Sequence, residues 1–209
     1  MKLVCLMSDG IDSPVAAYIM SRAGADVVLL HMDNRPYTDD RSMEKVKALA
    51  AQLRKATGKD IPLYSAPHGP NQKAISEGCE SAFQCVMCKI VMQRTARELA
   101  KRIGASAIVM GDSLGQVASQ TLKNIRSENQ DLDFPVARPL IGLDKTEIIE
   151  IAKEIGTFDI SIRQTAGCLA LPPKVVVSAN PERTRGFTES IDADALAAEA
   201  AGSAELIEL

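Results

Sequence analysis

The fold is decided by residues 3–13, which read LVCLMSDGIDS. The first five are apolar and predict a buried strand, and residues 14–23 have the apolar spacing of a helix. A strand that runs through a loop of small residues into a helix is how α/β folds hold a phosphate, because backbone N–H groups and the positive helix end meet at one anion. The sequence therefore predicts an anion site at residues 8–13, with a plain turn and helix cap as the simpler interpretation.

The loop lacks two common nucleotide-binding patterns, G-x-G-x-x-G and the Walker pattern G-x-x-x-x-G-K-S/T. What remains is S-x-G-x-D-S, which resembles the pyrophosphate loop (PP-loop) of enzymes that cleave ATP between the α and β phosphates. The usual form is S-G-G-x-D-S, and Asp9 stands in place of its first glycine. Asp tolerates left-handed backbone angles. Its carboxylate beside a polyanion would either change the phosphate geometry or supply a magnesium ligand.

Length and composition bound the class of protein. The 209 residues suit one α/β domain with a small appendage, and 46% hydrophobic residues with 3% aromatic and no Trp suit an aliphatic core. No apolar run approaches the roughly 18 residues that cross a bilayer, and the N-terminus lacks a signal peptide's basic start and cleavage site. We therefore expect a cytoplasmic protein with no membrane partner.

The net charge of −3 argues against a nucleic-acid-binding chain, but the charge is unevenly distributed. Residues 187–209 carry six acids and no Lys or Arg, so the remainder has 24 basic against 21 acidic residues. One face of the predicted helix 89–103 is basic, with Glu98 as its single acid. Its basic residues are Lys89, Arg94, Arg97, Lys101 and Arg102. A solvated surface is the ordinary interpretation of such a face, and contact with a phosphate backbone is the alternative.

Strands and helices alternate along the chain. The predicted strands are residues 3–7, 26–32, 61–66, 107–110 and 136–140. The predicted helices are residues 14–23, residues 42–57, a short segment before Cys79, residues 89–103 and a segment that reaches Gly156. Ser42 is the predicted cap of the second helix, and Asp144 and Glu147 form a capping pair at the start of the last one. This order predicts a doubly wound parallel sheet of five strands with helices on both faces. Residues 1–178 would form this domain, and residues 179–209 a loosely attached acidic arm with one helix.

The predicted nucleotide site extends to a second loop. Residues 111–116 form another glycine-containing turn after a strand, and ligands of open parallel sheets bind at the carboxyl ends of strands. Both loops should therefore lie at one edge of the sheet. The residues expected there are Ser8, Asp9, Gly10, Ile11, Asp12, Ser13, His31, Met32, Gly111, Asp112, Gln116 and Gln120. Neither His31 nor His68 has a visible triad partner, so both are interpreted as structural or peripheral to catalysis.

Five cysteines, two of them spaced C-x-x-C, indicate metal or redox chemistry in a reducing compartment rather than a disulfide framework. Cys85 and Cys88 precede the basic helix, where the helix dipole and the following lysine favour thiolates. Two cysteines do not complete a zinc site, and Cys168, in a glycine-containing loop, is the third candidate. Three thiolates would leave one metal position of an iron–sulfur cluster open. Cys5 is expected in the core, and Cys79 is left without a role.

A longer stretch carries a more specific resemblance. The run GDSLGQVASQTLKN at residues 111–124, with RPLI at 138–141 and Asp144-Lys145, closely resembles the ATPase domain of the tRNA 4-thiouridine synthetases, also called tRNA sulfurtransferases. With the PP-loop, the similarity covers about residues 1–175. It implies a PP-loop fold of the adenine nucleotide alpha hydrolase type that binds ATP and Mg²⁺. The implied reaction adenylates the C4 oxygen of uridine at tRNA position 8, releases pyrophosphate and replaces the oxygen with sulfur.

The resemblance also implies roles for single residues. The pyrophosphate loop would comprise Ser8, Gly10, Asp12 and Ser13. Lys145 would place a charge near the phosphates or the adenylate, and Cys168 matches the family's sulfur-handling cysteine. The C-x-x-C resembles the archaeal-type subgroup, in which that pair and the third cysteine hold an iron–sulfur cluster. The catalytic candidates are Asp12, Lys145 and Cys168, and the metal candidates are Cys85, Cys88 and Cys168. A disulfide or persulfide at these cysteines is the alternative to a cluster.

Two departures from the family affect the expected partners. The THUMP-containing RNA-binding region that usually precedes the PP-loop does not occur in this sequence, and no rhodanese-like domain follows. tRNA would then be bound by the chain's own basic surface or by a separate THUMP-type subunit, with sulfide or a persulfide carrier as sulfur donor. A homodimer is also compatible with the sequence. Two other functions stay open: sulfur transfer to a small molecule or carrier protein, as in thiamine-thiazole assembly, and a non-catalytic ATP-binding or iron–sulfur carrier subunit.

Overall fold

One sheet of six strands forms the centre of the molecule in the computed structural model, which describes residues 1–117 and 119–209. The strands are β1 (Lys2–Met7), β2 (Asp26–Asp33), β3 (Leu63–Pro67), β4 (Ala107–Val109), β5 (Val136–Ala137) and β6 (Glu205–Ile207). Their order across the sheet is β5-β4-β1-β2-β3-β6. The first five pair in parallel, whereas β6 runs antiparallel to β3.

The predicted doubly wound parallel sheet is confirmed, and each of its five strands lies where a strand was predicted. The sixth strand was not predicted. Two of its three side chains are exposed, so the segment shows neither an apolar run nor a clear alternation. Ala118, inside the run that carries the family resemblance, lies outside the described residues.

Helices cover both faces of the sheet. They are α1 (Asp12–Arg22), α2 (Asp40–Thr57), α3 (Gly69–Gly78), α4 (Gln84–Ile103), α5 (Leu122–Glu128), α6 (Lys145–Glu154), α7 (Phe158–Ser161), α8 (Pro181–Ser190) and α9 (Ala193–Gly202). Side chains of β1 alternate between two cores: Leu3, Cys5 and Met7 pack with α1, α2 and α6, and Val4 and Leu6 pack with α4. Cys5 is thereby confirmed as a core residue. None of the described helices is long and apolar enough to cross a membrane.

Three helices begin earlier than predicted. α1 begins at Asp12 rather than at residue 14. α2 begins at Asp40, so Ser42 lies inside the helix and does not cap it. α4 begins at Gln84, so Cys85 and Cys88 are the second and fifth residues of the helix rather than lying before it. The two residues between these cysteines are buried and continue the apolar face of the helix, which explains the earlier start.

Residues 181–209 form two helices and a strand that pack on the rest of the molecule. α9 lies along α4 and buries Ala193, Ala197, Ala200 and Ala201. Asp194 accepts hydrogen bonds from Arg94 over 2.9 Å and from Arg97 over 2.8 Å. The expectation of a loosely attached arm with one helix is therefore wrong. Alanines give little hydrophobic signal in a sequence, yet their small side chains let two helices pack closely. The proposed domain boundary after residue 178 stays a prediction.

The basic face of α4 is consequently covered in part by acidic α9. Arg94 and Arg97 pair with α9, and Arg102 donates to the Ala201 carbonyl over 2.7 Å. The Lys89 side chain is mostly buried at the functional site, whereas Lys101 and Arg102 are exposed residues. The basic surface of α4 is therefore neither a fully solvated face nor a face that is free to contact a phosphate backbone.

Candidate functional site

The loop between β1 and α1 is closed by its own serines. The Ser8 N–H donates to Ser13 Oγ over 2.9 Å, and the two hydroxyl oxygens lie 3.0 Å apart. Ser8 Oγ in turn accepts from the Gly10 N–H over 3.2 Å. These bonds fold the loop tightly at the start of α1, where N–H groups without a helical partner are suited to binding an anion. Ile11 packs on the core, so it can offer a ligand only its main chain.

The loop after β4 meets the PP-loop, as the sequence predicted. A Cβ atom on Gly111 would lie 3.0 Å from both the Cα and the N atom of Ser13, so only glycine permits this approach without a shift. A cavity of about 180 Å³ lies at the junction. Predicted nucleotide residues that line it are Ser8, Gly10, Asp12, Ser13, Gly111, Asp112 and Gln120. Gln116 is half-buried and does not line this cavity.

Two predicted catalytic residues form an ion pair beside this cavity. Asp12 is the first residue of α1 and Lys145 the first of α6, and the Lys145 ammonium contacts Asp12 Oδ1. The predicted capping box of α6 is confirmed, since Asp144 accepts from the Glu147 N–H over 2.9 Å. A lysine at a helix start faces the positive end of the helix dipole, which is unfavourable. Lys145 is therefore held there by Asp12, and both side chains are partly exposed.

A buried charge network that the sequence did not reveal lies next to the cavity. Asp112 accepts from Lys89 Nζ over 2.9 Å and from Arg138 Nε over 3.0 Å. Glu128 lies 3.7 Å from the same ammonium, and neither of its fully buried oxygens accepts a hydrogen bond from the described residues. Burial raises the pKa of Glu128 to about 7, although the positive charge of Lys89 acts to lower it. Asp112 thus lines the cavity as predicted, but two cations already occupy its carboxylate.

A larger cavity, of about 240 Å³, adjoins the first and shares Met7, Ser8 and Met92 with it. Other predicted nucleotide residues that line it are Asp9, His31 and Met32. The same cavity is lined by the thiols of Cys88 and Cys168. The nucleotide loop and two of the candidate sulfur residues therefore face one space.

His31 has a structural role within this site. Its Nδ1 lies 2.9 Å from the Met7 carbonyl oxygen and donates a hydrogen bond to it. Burial lowers the pKa of His31, so the ring is neutral near pH 7. The bond joins the carboxyl ends of β1 and β2, next to the PP-loop, which agrees with the structural interpretation of this histidine.

His68 contacts a candidate sulfur residue, contrary to the interpretation of it as peripheral. Its Nε2 lies 3.3 Å from Cys88 Sγ, and Gln72 Nε2 donates to the same sulfur over 3.2 Å. Asn71 Nδ2 lies 3.1 Å from His68 Nδ1 and donates to it, which leaves the ring proton on Nε2. Burial lowers the pKa of His68 to about 4, so the ring stays neutral. The Cys88 sulfur therefore receives two N–H donors in a buried place.

Cys168 lies in the loop that follows α7 and is exposed. Asn34 Nδ2 lies 3.6 Å from its sulfur. Burial raises the pKa of Cys85 and raises that of Cys88 to about 12, and in both cases the charge of a Cys168 thiolate adds to the increase. Cys88 and Cys168 line one cavity, and Cys85 lies about one helical turn from Cys88 on α4.

All five cysteines are free thiols. Among residues 1–117 and 119–209, no three His, Cys, Asp or Glu side chains are placed to hold one metal ion. An iron–sulfur cluster is larger than a single ion and takes thiolate ligands, so the sulfurs of Cys85, Cys88 and Cys168 fit it by donor chemistry. Their assignment as ligands stays a prediction. Cys79 packs against an apolar cluster, and burial raises its pKa to about 11.

Asp9 makes contacts that neither of its two sequence interpretations anticipated. Thr165 Oγ1 donates to Asp9 Oδ2 over 2.8 Å. Lys45 Nζ lies 3.6 Å from the same oxygen. These partners belong to α2 and to the segment before Cys168, about 36 and 156 residues along the chain, so no local sequence signal announces them. The Asp9 carboxylate is thus engaged by protein groups beside the cavity it lines.

Comparison with known proteins gives one consistent family. The sequence model of the family described as "Thiamine biosynthesis protein (ThiI)" matches residues 1–193. A probable tRNA sulfurtransferase of Methanosarcina mazei is 40% identical over 209 residues, which are 100% of this chain and 52% of the relative. Another of the same name, from Methanothermobacter thermautotrophicus, is 43% identical over 192 residues, 91% of this chain and 49% of the relative. The chain spans about half the length of the curated relatives it matches.

Solved structures give the same result. A 4-thiouridine synthetase, crystallised as an RNA complex with bound ATP, matches with a TM-score of 0.92 and 34% identity. The match covers 99% of this chain and 55% of that chain. An NMN synthetase of Francisella tularensis matches with a TM-score of 0.59 and 14% identity, over 94% of this chain and 86% of that one, which shows a shared fold alone.

Proposed function

Because the chain belongs to the thiamine biosynthesis protein (ThiI) family, we propose that it is the ATP-dependent catalytic domain of a tRNA sulfurtransferase. It adenylates the C4 oxygen of the uridine at tRNA position 8, releases pyrophosphate, and replaces the oxygen with sulfur to give 4-thiouridine. The names of the curated relatives and the similarity to a 4-thiouridine synthetase with bound ATP and RNA support this proposal.

The observation that carries the proposal is the shared cavity. Ser8 and Asp9 of the PP-loop line it together with Cys88 and Cys168. A reaction that first activates an oxygen with ATP and then replaces it with sulfur needs both groups at one acceptor atom, because the activated intermediate must meet its nucleophile before water does. A protein that only bound ATP would have no need of thiols in the same space.

In the first step, AMP attached to the carbonyl oxygen turns a poor leaving group into a good one. The main-chain N–H groups of residues 8–13 bind the phosphates at the start of α1. Lys145, released from Asp12, stabilises the charge that builds on the phosphates in the transition state. Once Lys145 has left it, Asp12 would offer an oxygen ligand to the Mg²⁺ that accompanies ATP, and that ion would offset charge on the phosphates.

In the second step, sulfur attacks C4 as a nucleophile and AMP leaves. On one route, the terminal sulfur of a persulfide on Cys168 attacks C4. The Cys88 thiolate then attacks the Cys168 sulfur, which releases 4-thiouridine and leaves a disulfide between Cys88 and Cys168. An external dithiol reduces this disulfide. Alternatively, Cys85, Cys88 and Cys168 would hold an iron–sulfur cluster, which would supply the sulfur as sulfide. The N–H groups of His68 and Gln72 stabilise negative charge on the Cys88 sulfur along either route.

tRNA binding is proposed to depend on a THUMP-type RNA-binding partner, and sulfur to come from sulfide or a persulfide carrier. α4 is the most basic helix of the sequence, yet three of the cations on its basic face, Arg94, Arg97 and Arg102, bond to α9 or its end. Few cations on this face are left for phosphates, which favours a second RNA-binding part.

A second candidate keeps the adenylation and changes the acceptor to a small molecule or a sulfur-carrier protein. The observation that favours it is the family's description as a thiamine biosynthesis protein. The two functions differ in whether pyrophosphate release requires tRNA, so one assay separates them.

The test is an anaerobic incubation of the chain with ATP, Mg²⁺, a dithiol, unmodified tRNA and either sulfide or a persulfide carrier, with and without an added THUMP-type protein. Pyrophosphate and thiolated uridine are measured in the same samples. We expect both products, with pyrophosphate release dependent on tRNA. Lys145→Met should lose pyrophosphate release, and Cys168→Ser should retain it but lose thiolated uridine. Lys47→Met, an exposed substitution on α2, serves as the control.

Three outcomes contradict the proposal in different ways. Absence of thiolated uridine in every sample rejects tRNA thiolation. Pyrophosphate release that does not depend on tRNA favours the second candidate. No pyrophosphate release, with cluster absorbance intact in the purified protein, favours a non-catalytic ATP-binding or iron–sulfur carrier subunit.

A further inference from the structure

We infer that Asp9 is a positioning residue that ties the PP-loop to the loop carrying Cys168. The inference deepens the proposed function and rests on it for its meaning, since it concerns how the thiol is held beside the nucleotide. It assigns a role to the residue that replaces a glycine of the usual PP-loop pattern.

The first observation is the pair of groups on one carboxylate oxygen. Thr165 Oγ1 donates to Asp9 Oδ2 over 2.8 Å, and Lys45 Nζ lies 3.6 Å from the same atom. The Lys45 side chain is only 8% exposed, and its Nζ also donates to the Arg163 carbonyl over 2.9 Å. A nearly buried ammonium requires a counter-charge, so Asp9 holds Lys45, and Lys45 holds the same segment that Thr165 belongs to.

The second observation is an independent bond from the next loop residue. Ser161 Oγ donates to the Gly10 carbonyl over 3.2 Å. Two consecutive residues of the PP-loop thus bind the segment 161–165 at both of its ends. Cys168 follows that segment after only two residues, Ala166 and Gly167, both exposed.

The loop beyond this segment has little packing of its own. Gly167 has a φ of +67°, and Cys168 and Leu169 are exposed. The Leu169 N–H donates to the Tyr37 carbonyl over 2.8 Å, which fixes the far side of the loop. The position of Cys168 therefore depends on polar anchors rather than on buried apolar area. On the near side, two bonds reach the nucleotide loop, and the Asp9–Thr165 bond is the one nearer to Cys168 in the chain.

Glycine at position 9 would remove this anchor without touching the rest of the PP-loop. The hydroxyl of Thr165 and the ammonium of Lys45 would both lose the oxygen they share. Asparagine would keep an oxygen for Thr165 but lose the charge opposite Lys45. The three side chains Asp, Asn and Gly therefore form a graded series.

The test measures alkylation of Cys168 by iodoacetamide in the full chain, reduced and freed of iron with a chelator, and followed by mass spectrometry of the Cys168 peptide. We expect Asp9→Gly and Thr165→Val each to raise the alkylation rate at least threefold, and Asp9→Asn to fall between wild type and Asp9→Gly. The double variant should be no faster than the faster single variant, because both remove one bond. The rate at Cys79 in the same samples should stay unchanged, and Ser76→Ala, an exposed hydroxyl on α3, is the matched control.

Unchanged rates at Cys168, or single effects that multiply in the double variant, would overturn the inference. Equal acceleration at Cys79 would also overturn it, because it would indicate general loosening of the fold.

A second readout separates positioning from chemistry. We expect Thr165→Val to lower the yield of thiolated uridine at least fivefold while tRNA-dependent pyrophosphate release changes less than twofold. A parallel loss of both products would contradict the inference. If the wild-type chain forms no thiolated uridine, the proposed function fails, and the alkylation rates still decide whether Asp9 holds the Cys168 loop.

Discussion

Lys145 occupies the first position of α6, where the helix dipole disfavours a cation, and its ammonium contacts Asp12 of the PP-loop. We expect Lys145→Met to lower the rate of pyrophosphate release about 100-fold, the usual effect of removing one charge-stabilising group from a transition state. The free energy of unfolding should change by less than about 1 kcal/mol, because the ion pair is partly exposed. Steady-state pyrophosphate assays and urea denaturation measure the two quantities. Retention of more than a tenth of the rate would argue against a role at the phosphates.

Glu128 makes stability depend on pH. Burial raises its pKa from 4.5 to about 7 in the folded chain, so the folded state holds a proton that the unfolded state releases between these values. Below about pH 4.5 the carboxyl is protonated in both states, so the pH has no effect through this group. Between about pH 4.5 and 7 only the folded state keeps the proton, and the free energy of unfolding therefore falls as the pH rises, by on the order of 3 kcal/mol. Glu128→Gln should remove this slope and be more stable than wild type above about pH 7.

Urea denaturation across this pH range measures the effect. Glu150→Gln, an exposed substitution on α6, should keep the wild-type slope. Equal slopes for wild type and Glu128→Gln would show that the buried carboxyl ionises freely in the folded chain.

The sequence predicted the positions of single residues where these residues lie next to a recognisable strand or helix. The PP-loop serines and Gly111 could be located because each lies at a strand or helix end whose position the sequence reveals, whereas Lys145 was named through the family resemblance and its contact with Asp12 was not predicted. Contacts such as Asp9 with Thr165 could not be predicted, since a hydrogen bond between residues 156 apart leaves no periodic pattern. His68 was interpreted as peripheral for the same reason: its contact with Cys88 depends on how α3 packs against α4.

Helix α9 is joined to α4 by charge as well as by packing. Asp194 bonds to both Arg94 and Arg97, and the Arg94 side chain is only 7% exposed. We expect Asp194→Ala to lower the free energy of unfolding by about 1 kcal/mol. The expected loss is larger than for an average surface ion pair, because the substitution leaves the buried Arg94 guanidinium without its partner. The loss is limited because Asp194 itself is 61% exposed. High salt should reduce the difference between the variant and wild type.

Urea denaturation at low and high salt checks this prediction. Glu199→Ala serves as the control, since Glu199 is an exposed acid on the same helix with no ion pair among the described residues. An effect of Asp194→Ala no larger than that of the control would mean that alanine packing alone holds α9.

Elements were predictable in proportion to their burial. β1 and β2 are buried almost throughout and were found nearly to the residue, whereas β6 exposes two of its three side chains and was missed. The basic face of α4 was interpreted without its partner, because the acids that cover it lie about 100 residues away. The hydrophobic periodicity and composition of a segment indicate which of its faces is polar. They do not indicate which other element packs on that face, because that depends on the tertiary fold.

The last 31 residues should contribute several kcal/mol to the stability of the whole molecule. A chain of residues 1–178 would lose β6 from the edge of β3 and α9 from α4, exposing an unpaired strand edge and an apolar helix face. We expect a loss on the order of 5 kcal/mol, which lowers the Tm by roughly 10–20 °C for a chain of this size. A chain of residues 1–204 lacks only β6 and should lose far less, because the strand pairs three residues and buries little. Calorimetry of the three lengths measures these losses. If residues 1–178 unfold at the temperature of the full chain, the segment from 179 is an independent arm, and the contacts of Asp194 contribute nothing to the stability of residues 1–178.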